Sequence, residues 1–450
     1  MNTRIILLVA FIAAIIFAPR YILGFSLWHI GDAIDVSASM GAKLSCSGKF
    51  ISRFSNEQII DDLSSYSPVN QYLDIQYDSV KKTATATLFN LSTYTAKYRP
   101  ATGCSLDIGD TSHLDRIVYT KVPNIAAPWP KGHMVETLNP SKQQQLEDML
   151  KQDNAAGLNT RALVLVKNGV IQAEAYADGI YSDTKLMGWS MGKSLTAILY
   201  GRMNKLQQTD IQQTHLFSEW QDDERQHITM QNLLQMSSGI DFDEVYAPGS
   251  NLTKMLFSET SASDIVLNEG RYGESPGKHF AYSSATTNLI MRWMYNELGN
   301  STQNTYDFLR HELLSKMSMS NTVFETDSMG LFVGSSYIYA SARDWARLGL
   351  LMLNEGHING QQLLNKEYVQ AAQQQNTSEN YHAYGYQFWL NQNTDNLEYP
   401  QLPTDAYFMM GNRKQAVMIA PSEDAVIVRL GWTKGSYPMN ERFSQILSFN

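Results

Sequence analysis

The chain opens on an unbroken apolar run. Residues Ile5 to Ala18 carry no polar side chain, follow the positive start Met1-Asn2-Thr3-Arg4, and after Pro19-Arg20 the run resumes from Tyr21 to Trp28. A positive start ahead of an apolar stretch of this length is an export signal. Ile16 is large for a cleavage site and Pro19 would follow a cut after Ala18, so residues 1–30 are expected to remain as a signal anchor. Residues 5–28 would then contact the membrane, with the body at the periplasmic face of a bacterial inner membrane, or free in the periplasm if the signal is removed.

Beyond the anchor the period changes. From about residue 31 to 130 polar and apolar positions alternate, as in Tyr72-Leu73-Asp74-Ile75-Gln76-Tyr77 and Thr85-Ala86-Thr87-Leu88-Phe89, which predicts a small extension of short strands. The stretch Pro123–Pro130 reads as a linker. A second unit, 135–450, starts with a helix near Gln143–Lys151. A hairpin follows: Ala162–Lys167, the turn Asn168-Gly169, then Val170–Tyr176. Residues 190–355 are mostly helical in period and include Ile228–Gly239, a helix expected to stop at its glycine. Ala416–Ala420, the turn Pro421–Asp424 and Ala425–Leu430 form a second hairpin. Strands at both ends of this unit predict one sheet built from both, with a helical lobe inserted.

At 450 residues, 43% hydrophobic and 18% charged, the chain can bury a large core and is not disordered. A net charge of −9 without a long basic run argues against a nucleic-acid partner. The two cysteines, Cys46 and Cys104, both fall in the extension; in an oxidising compartment they form one disulfide. The histidines are scattered without metal-ligand spacing, so neither metal nor cofactor is expected.

The candidate chemistry sits in Gly188-Trp189-Ser190-Met191-Gly192-Lys193. Three residues apart at a helix start, Ser190 and Lys193 share one face. A desolvated lysine amine can take the proton of a neighbouring hydroxyl, and helix-start N–H groups favour negative charge there. The same spacing recurs at Ser79/Lys82, Ser182/Lys185 and Ser275/Lys278, but only Ser190 opens a segment with apolar residues at helical spacing. The run also fits the G-x-S-x-G elbow, which requires a buried strand directly before it; the polar Tyr181–Lys185 stands there instead, while His279, His311, His357 and His382 lie downstream for a triad.

Taken in order, Ser190-x-x-Lys193, Ile228-Thr229…Leu233-Leu234…Ser238-Gly239, Pro276-Gly277…Tyr282-Ser283-Ser284 and Ser341–Gly349 resemble the serine β-lactamase and penicillin-binding superfamily. The match is to its class C-like branch of carboxylesterases, D-alanyl-D-alanine peptidases and aminohexanoate-oligomer hydrolases, and it runs from about residue 135 to the end. The resemblance implies an α/β (α+β) fold, a mainly antiparallel sheet flanked by helices with an all-helical domain, and a site between them. It makes Ser190 the acylated nucleophile, Lys193 its base and Tyr282 a proton carrier whose pKa would have to fall for it to act as a base. Ser284 takes the place of an asparagine that contacts substrate. The strand motif becomes Met410-Gly411-Asn412-Arg413-Lys414-Gln415, with Asn412 at the Lys/His position and Lys414 where a glycine is usual. The N–H near Gln415 and that of Ser190 would form the oxyanion hole, and Trp189 is a candidate pocket wall.

The expected function is a cofactor-free serine hydrolase acting on a small ester or amide. The alternatives are a β-lactamase or D-alanyl-D-alanine peptidase, and a non-catalytic membrane-anchored binding protein whose groove Arg413 and Lys414 close.

Overall fold

The computed structural model describes residues 26–135, 138–268, 270 and 272–449, so the expected anchor run lies outside them up to residue 25. Among the described residues no helix is long and apolar enough to cross a membrane.

The extension departs from the all-strand expectation. It opens with helix α1, Ile30–Ser47, and a second helix α2, Asn56–Ser64, before any strand forms. From Val36 to Ser47 every residue of α1 is buried, so the segment carries no polar stripe by which a helix is recognised. Its Ala, Ser and Gly residues let it lie close on a four-stranded antiparallel meander of β1 (Leu73–Asp78), β2 (Thr83–Leu88), β3 (Ser92–Arg99) and β4 (Gly103–Leu106). A methyl group at Gly41 would stand 2.8 Å from Leu73 Cδ1 and 3.1 Å from Ala86 Cβ. The Cys46–Cys104 disulfide ties α1 to β4. Beside it Lys43, buried, donates to Glu325 of the following unit, and Glu325 also accepts from Ser47 Oγ (2.7 Å) and the Cys104 N–H (2.7 Å).

The larger unit is built on a six-stranded antiparallel sheet. Its strands are β5 (Thr160–Lys167), β6 (Val170–Tyr176), β7 (Trp389–Leu390), β8 (Tyr407–Gly411), β9 (Gln415–Ala420) and β10 (Ala425–Gly431), in the order β7-β8-β9-β10-β5-β6. Both expected hairpins are present. Lys167 pairs with Val170 across Asn168 and Gly169, both left-handed, and Ala420 pairs with Ala425. Helices α3 (Pro140–Ala155) and α8 (Met439–Leu447) cover one face, where Leu146, Met149, Phe443 and Ile446 meet Leu163, Met418 and Ile427. Helices α4 (Met191–Gln207) and α7 (Ala342–Leu353) cover the other, against Val164, Val166, Val417 and Val426.

The segment between α4 and α7, expected to be mostly helical, instead carries short helices joined by long irregular stretches, with a small sheet of Leu186–Met187, Thr322–Phe324 and Ile338–Ala340 beside it. The helix expected to reach Gly239 is shorter. Helix α5, Met230–Leu234, starts at a Thr229/Asn232 capping box and ends before Met236, which is left-handed. The carbonyls of Met236 and Ser237 are taken by the N–H groups of Ala281 and Gly277, which pins the strand-like approach to Tyr282 and so ends the helix early. Helix α6, Ser284–Glu297, follows directly.

Candidate active site

Ser190 is the residue preceding the first turn of α4, and the chain reaches it through a tight turn with Trp189 at φ 49°. Close backbone approaches frame this turn. A methyl group at Gly192 would lie 2.6 Å from the Gly334 carbonyl oxygen, and one at Gly411 would lie 2.1 Å from that of Gly188. The end of β8 is thereby brought against the serine turn, which only glycine permits at this distance.

Lys193 points from the next turn to the same place. It is 1% exposed, and its Nζ lies 2.9 Å from Ser190 Oγ, 2.9 Å from Ser284 Oγ and 3.4 Å from the Ser335 carbonyl oxygen. Burial pushes its pKa down to about 8, against the pull of Glu244, which favours the charged form. An amine in this position is neutral in a sizeable fraction of molecules near neutral pH. A neutral amine has two N–H bonds and one lone pair, so in that state it can accept from Ser190 Oγ while donating to its other neighbours.

Glu244 has no counterpart in the sequence reading. Its Oε1 lies 3.7 Å from Lys193 Nζ, and its two oxygens accept from Ser284 Oγ and the Ser284 N–H, each at 2.6 Å. The loop that carries it is irregular and lies 40 residues before Ser284, so no spacing links the two. The one available signal was an acid two residues before Tyr246 in an otherwise turn-like stretch.

Tyr282 comes alongside. Its ring centre is 4.8 Å from Lys193 Nζ and stacks on Trp389 at 5.1 Å. Its pKa is raised, not lowered as a base would require. Burial is the larger cause and the Glu244 charge adds to it, with the Ser190 hydroxyl acting in the opposite direction. The phenol is therefore neutral and able to donate, which does not fit the base role that the resemblance left open for it.

Above the serine a cavity of about 400 Å³ opens, lined by Ser190, Glu244, Tyr246, Tyr282, Trp389 and the loop Gly411–Gln415 except Arg413. Asn412 and Lys414 line it, and Arg413 does not: its guanidinium turns back, 8% exposed, against Tyr66. Gln415 contributes its place in the strand, while its side chain is committed to Gly431, accepting from that N–H at 2.9 Å and donating to its carbonyl.

Two expected contacts take other positions. Ser284, 1% exposed, is bonded to Lys193 and Glu244 and does not line the cavity. Trp189, also 1% exposed, faces away into a cluster with Tyr66, Tyr246, Tyr337 and Trp432 and is not a cavity wall. The elbow reading fails on geometry. The two residues before the turn do form a short buried strand, Leu186–Met187, but Ser190 Oγ is bonded to Lys193, and His279 is bonded to Glu274.

Comparison with known proteins adds to this geometry. Residues 144–444 match the Beta-lactamase family model. Among solved structures the chain is similar to a protein of Bacillus anthracis described as a candidate 6-aminohexanoate-dimer hydrolase, with TM-score 0.59 and 19% identity over 75% of this chain and 91% of that one. It is also similar to EstCE1, described as a hydrolase with promiscuous acyltransferase activity, with TM-score 0.55 and 14% identity over 69% and 99%. A class C β-lactamase in complex with cefoxitin gives TM-score 0.50 and 14% identity over 68% and 97%. At these identities the likeness establishes the fold. No curated protein matches the chain.

Proposed function

Because the chain belongs to the beta-lactamase family, whose model spans its residues 144–444, we propose that it is a serine hydrolase cleaving a small ester or amide through an acyl-enzyme on Ser190. The observation that carries the proposal is the 2.9 Å contact between Ser190 Oγ and a buried Lys193 whose pKa is pushed down to about 8. Neutral Lys193 takes the hydroxyl proton as Ser190 Oγ attacks the carbonyl carbon. The developing oxyanion faces the Ser190 N–H, at a helix start, and the N–H groups of the Asn412–Gln415 loop. Tyr282, held neutral, gives its proton to the leaving atom and is reprotonated by the Lys193 ammonium. Water then attacks the acyl carbon by the reverse proton path and frees Ser190.

The binding-protein alternative rested on a groove closed by Arg413 and Lys414; of the two only Lys414 lines the cavity, which weakens that reading. We also propose that the apolar residues 5–28 anchor the enzyme at the outer face of the inner membrane, where an oxidising compartment suits the Cys46–Cys104 bond. The test of the catalytic reading is incubation with a fluorophosphonate and mapping of the adduct by peptide mass spectrometry. Labelling at Ser190 that disappears in Lys193→Ala is the expected result; a label elsewhere, or undiminished in Lys193→Ala, overturns it.

A further inference from the structure

The first third of the chain lies outside the span that matches the family model, yet one of its side chains reaches the candidate site. Building on the reading of Ser190 as nucleophile, we propose that Tyr66, in the N-terminal extension, is a positioning residue for the Gly411–Gln415 loop, and that the extension thereby completes the active site.

The loop carries two consecutive non-glycine residues in the left-handed region, Arg413 at φ 59° and Lys414 at φ 63°. Such a conformation persists only where its surroundings over-determine it. The surroundings are visible. On one side the Arg413 carbonyl accepts from Arg429 Nη1 at 3.1 Å and the Thr433 N–H at 3.3 Å. On the other the Arg413 guanidinium lies 3.8 Å over the ring centre of Tyr66, with Trp432 at 6.0 Å. A buried guanidinium on an aromatic face is a directional contact, since the planar cation is attracted to the electron-rich face of the ring.

The same ring makes a second contact. Its centre is 6.0 Å from that of Trp189, edge to face, and Trp189 is the residue before Ser190. Tyr66 therefore packs against one side chain from each of two segments that meet at the cavity, Trp189 of the serine turn and Arg413 of the strand loop opposite. It is itself fixed. It follows α2 directly, and Trp432 donates its indole N–H to the Asp62 carbonyl and Ser65 Oγ, both at 3.1 Å. Asp62 is also paired with Arg161 on β5. With the ring removed, Arg413 loses its cover and the loop is free to leave the left-handed conformation. The oxyanion donors would then be misplaced, although nothing that touches substrate has changed.

The test compares the rate of fluorophosphonate inactivation in the full chain for wild type, Tyr66→Phe and Tyr66→Leu. Tyr66→Phe keeps the ring and is expected to react within about twofold of wild type, while Tyr66→Leu reacts at least about 10-fold more slowly, as misplaced catalytic groups do. The pH midpoint of the rate should stay fixed in Tyr66→Leu, because the surroundings of Lys193 are not altered. A folded Tyr66→Leu that reacts at the wild-type rate overturns the proposal, as does a Tyr66→Phe as slow as Tyr66→Leu. Should Tyr66→Leu fail to fold, Arg413→Lys decides: it keeps the charge, loses the planar stack and is expected to slow inactivation, and an unchanged rate overturns the clamp. Absence of labelling in wild type would instead remove the nucleophile reading, and the proposal with it.

Discussion

Glu244 stands 3.7 Å from the Lys193 amine while both of its oxygens hold Ser284. The carboxylate is too far for a strong contact with the lysine and close enough to act on its charge. It opposes the burial that brings Lys193 down to about 8. The site is thus balanced between a lysine neutral enough to accept a proton and one charged enough to return it.

That balance sets the pH dependence. Lys193 must be neutral to activate Ser190, so the rate of inactivation or turnover should rise with pH and level off above about 8. Two units below the midpoint the rate should be about 100-fold lower. In Glu244→Gln the charge that holds the lysine pKa up is gone, and the midpoint should move to lower pH. A midpoint that stays in place or moves upward would contradict the role assigned to Glu244.

Tyr282→Phe tests the proton carrier. The ring would keep its stack on Trp389, so thermal stability should hold. Turnover should fall by about 10²–10⁴, the usual contribution of one positioned proton donor. The loss should be greater for amides than for activated esters, since an amine leaves only when protonated. Steady-state rates on a matched ester and amide pair measure it.

Much of this machinery was legible in the chain. Ser190 and Lys193 stood out because a helix repeats every 3.6 residues, and both hairpins because Asn168-Gly169 and Pro421–Asp424 lie between apolar runs. Glu244 was not legible, since it meets Ser284 through an irregular loop that no period describes. Helix α1 escapes the pattern because from Val36 to Ser47 it is buried on every side, and a helix without a polar face leaves no stripe. The directions of Trp189 and Arg413 depend on Tyr66, more than a hundred residues earlier, and only tertiary structure brings them together.

The buried Lys43–Glu325 pair joins the extension to the hydrolase unit, with the ammonium also 3.9 Å from the ring centre of Tyr337. Removing one partner leaves a charge in the core. Glu325→Gln should cost about 3–5 kcal/mol, and the double variant Lys43→Met/Glu325→Met should recover most of it. Denaturant unfolding of the single and double variants gives the comparison, and equal losses would mean that the contact is not carrying the seam.

The disulfide provides an independent measure of the extension. Cys46→Ser/Cys104→Ser should lower stability by about 2–4 kcal/mol, as expected for closing a loop of this size. Unfolding midpoints with and without reductant should differ for wild type and coincide for the variant.

One pairing of the six-stranded sheet joins β5, at Thr160–Lys167, to β10, at Ala425–Gly431. In a chain delivered from its N-terminus, β5, β6 and the helix bearing Ser190 emerge long before their partner strands. The loop that faces the serine, 411–415, lies in that late stretch, between β8 and β9. Ser190 therefore spends most of synthesis without its opposite wall, which arrives only with the last tenth of the polypeptide.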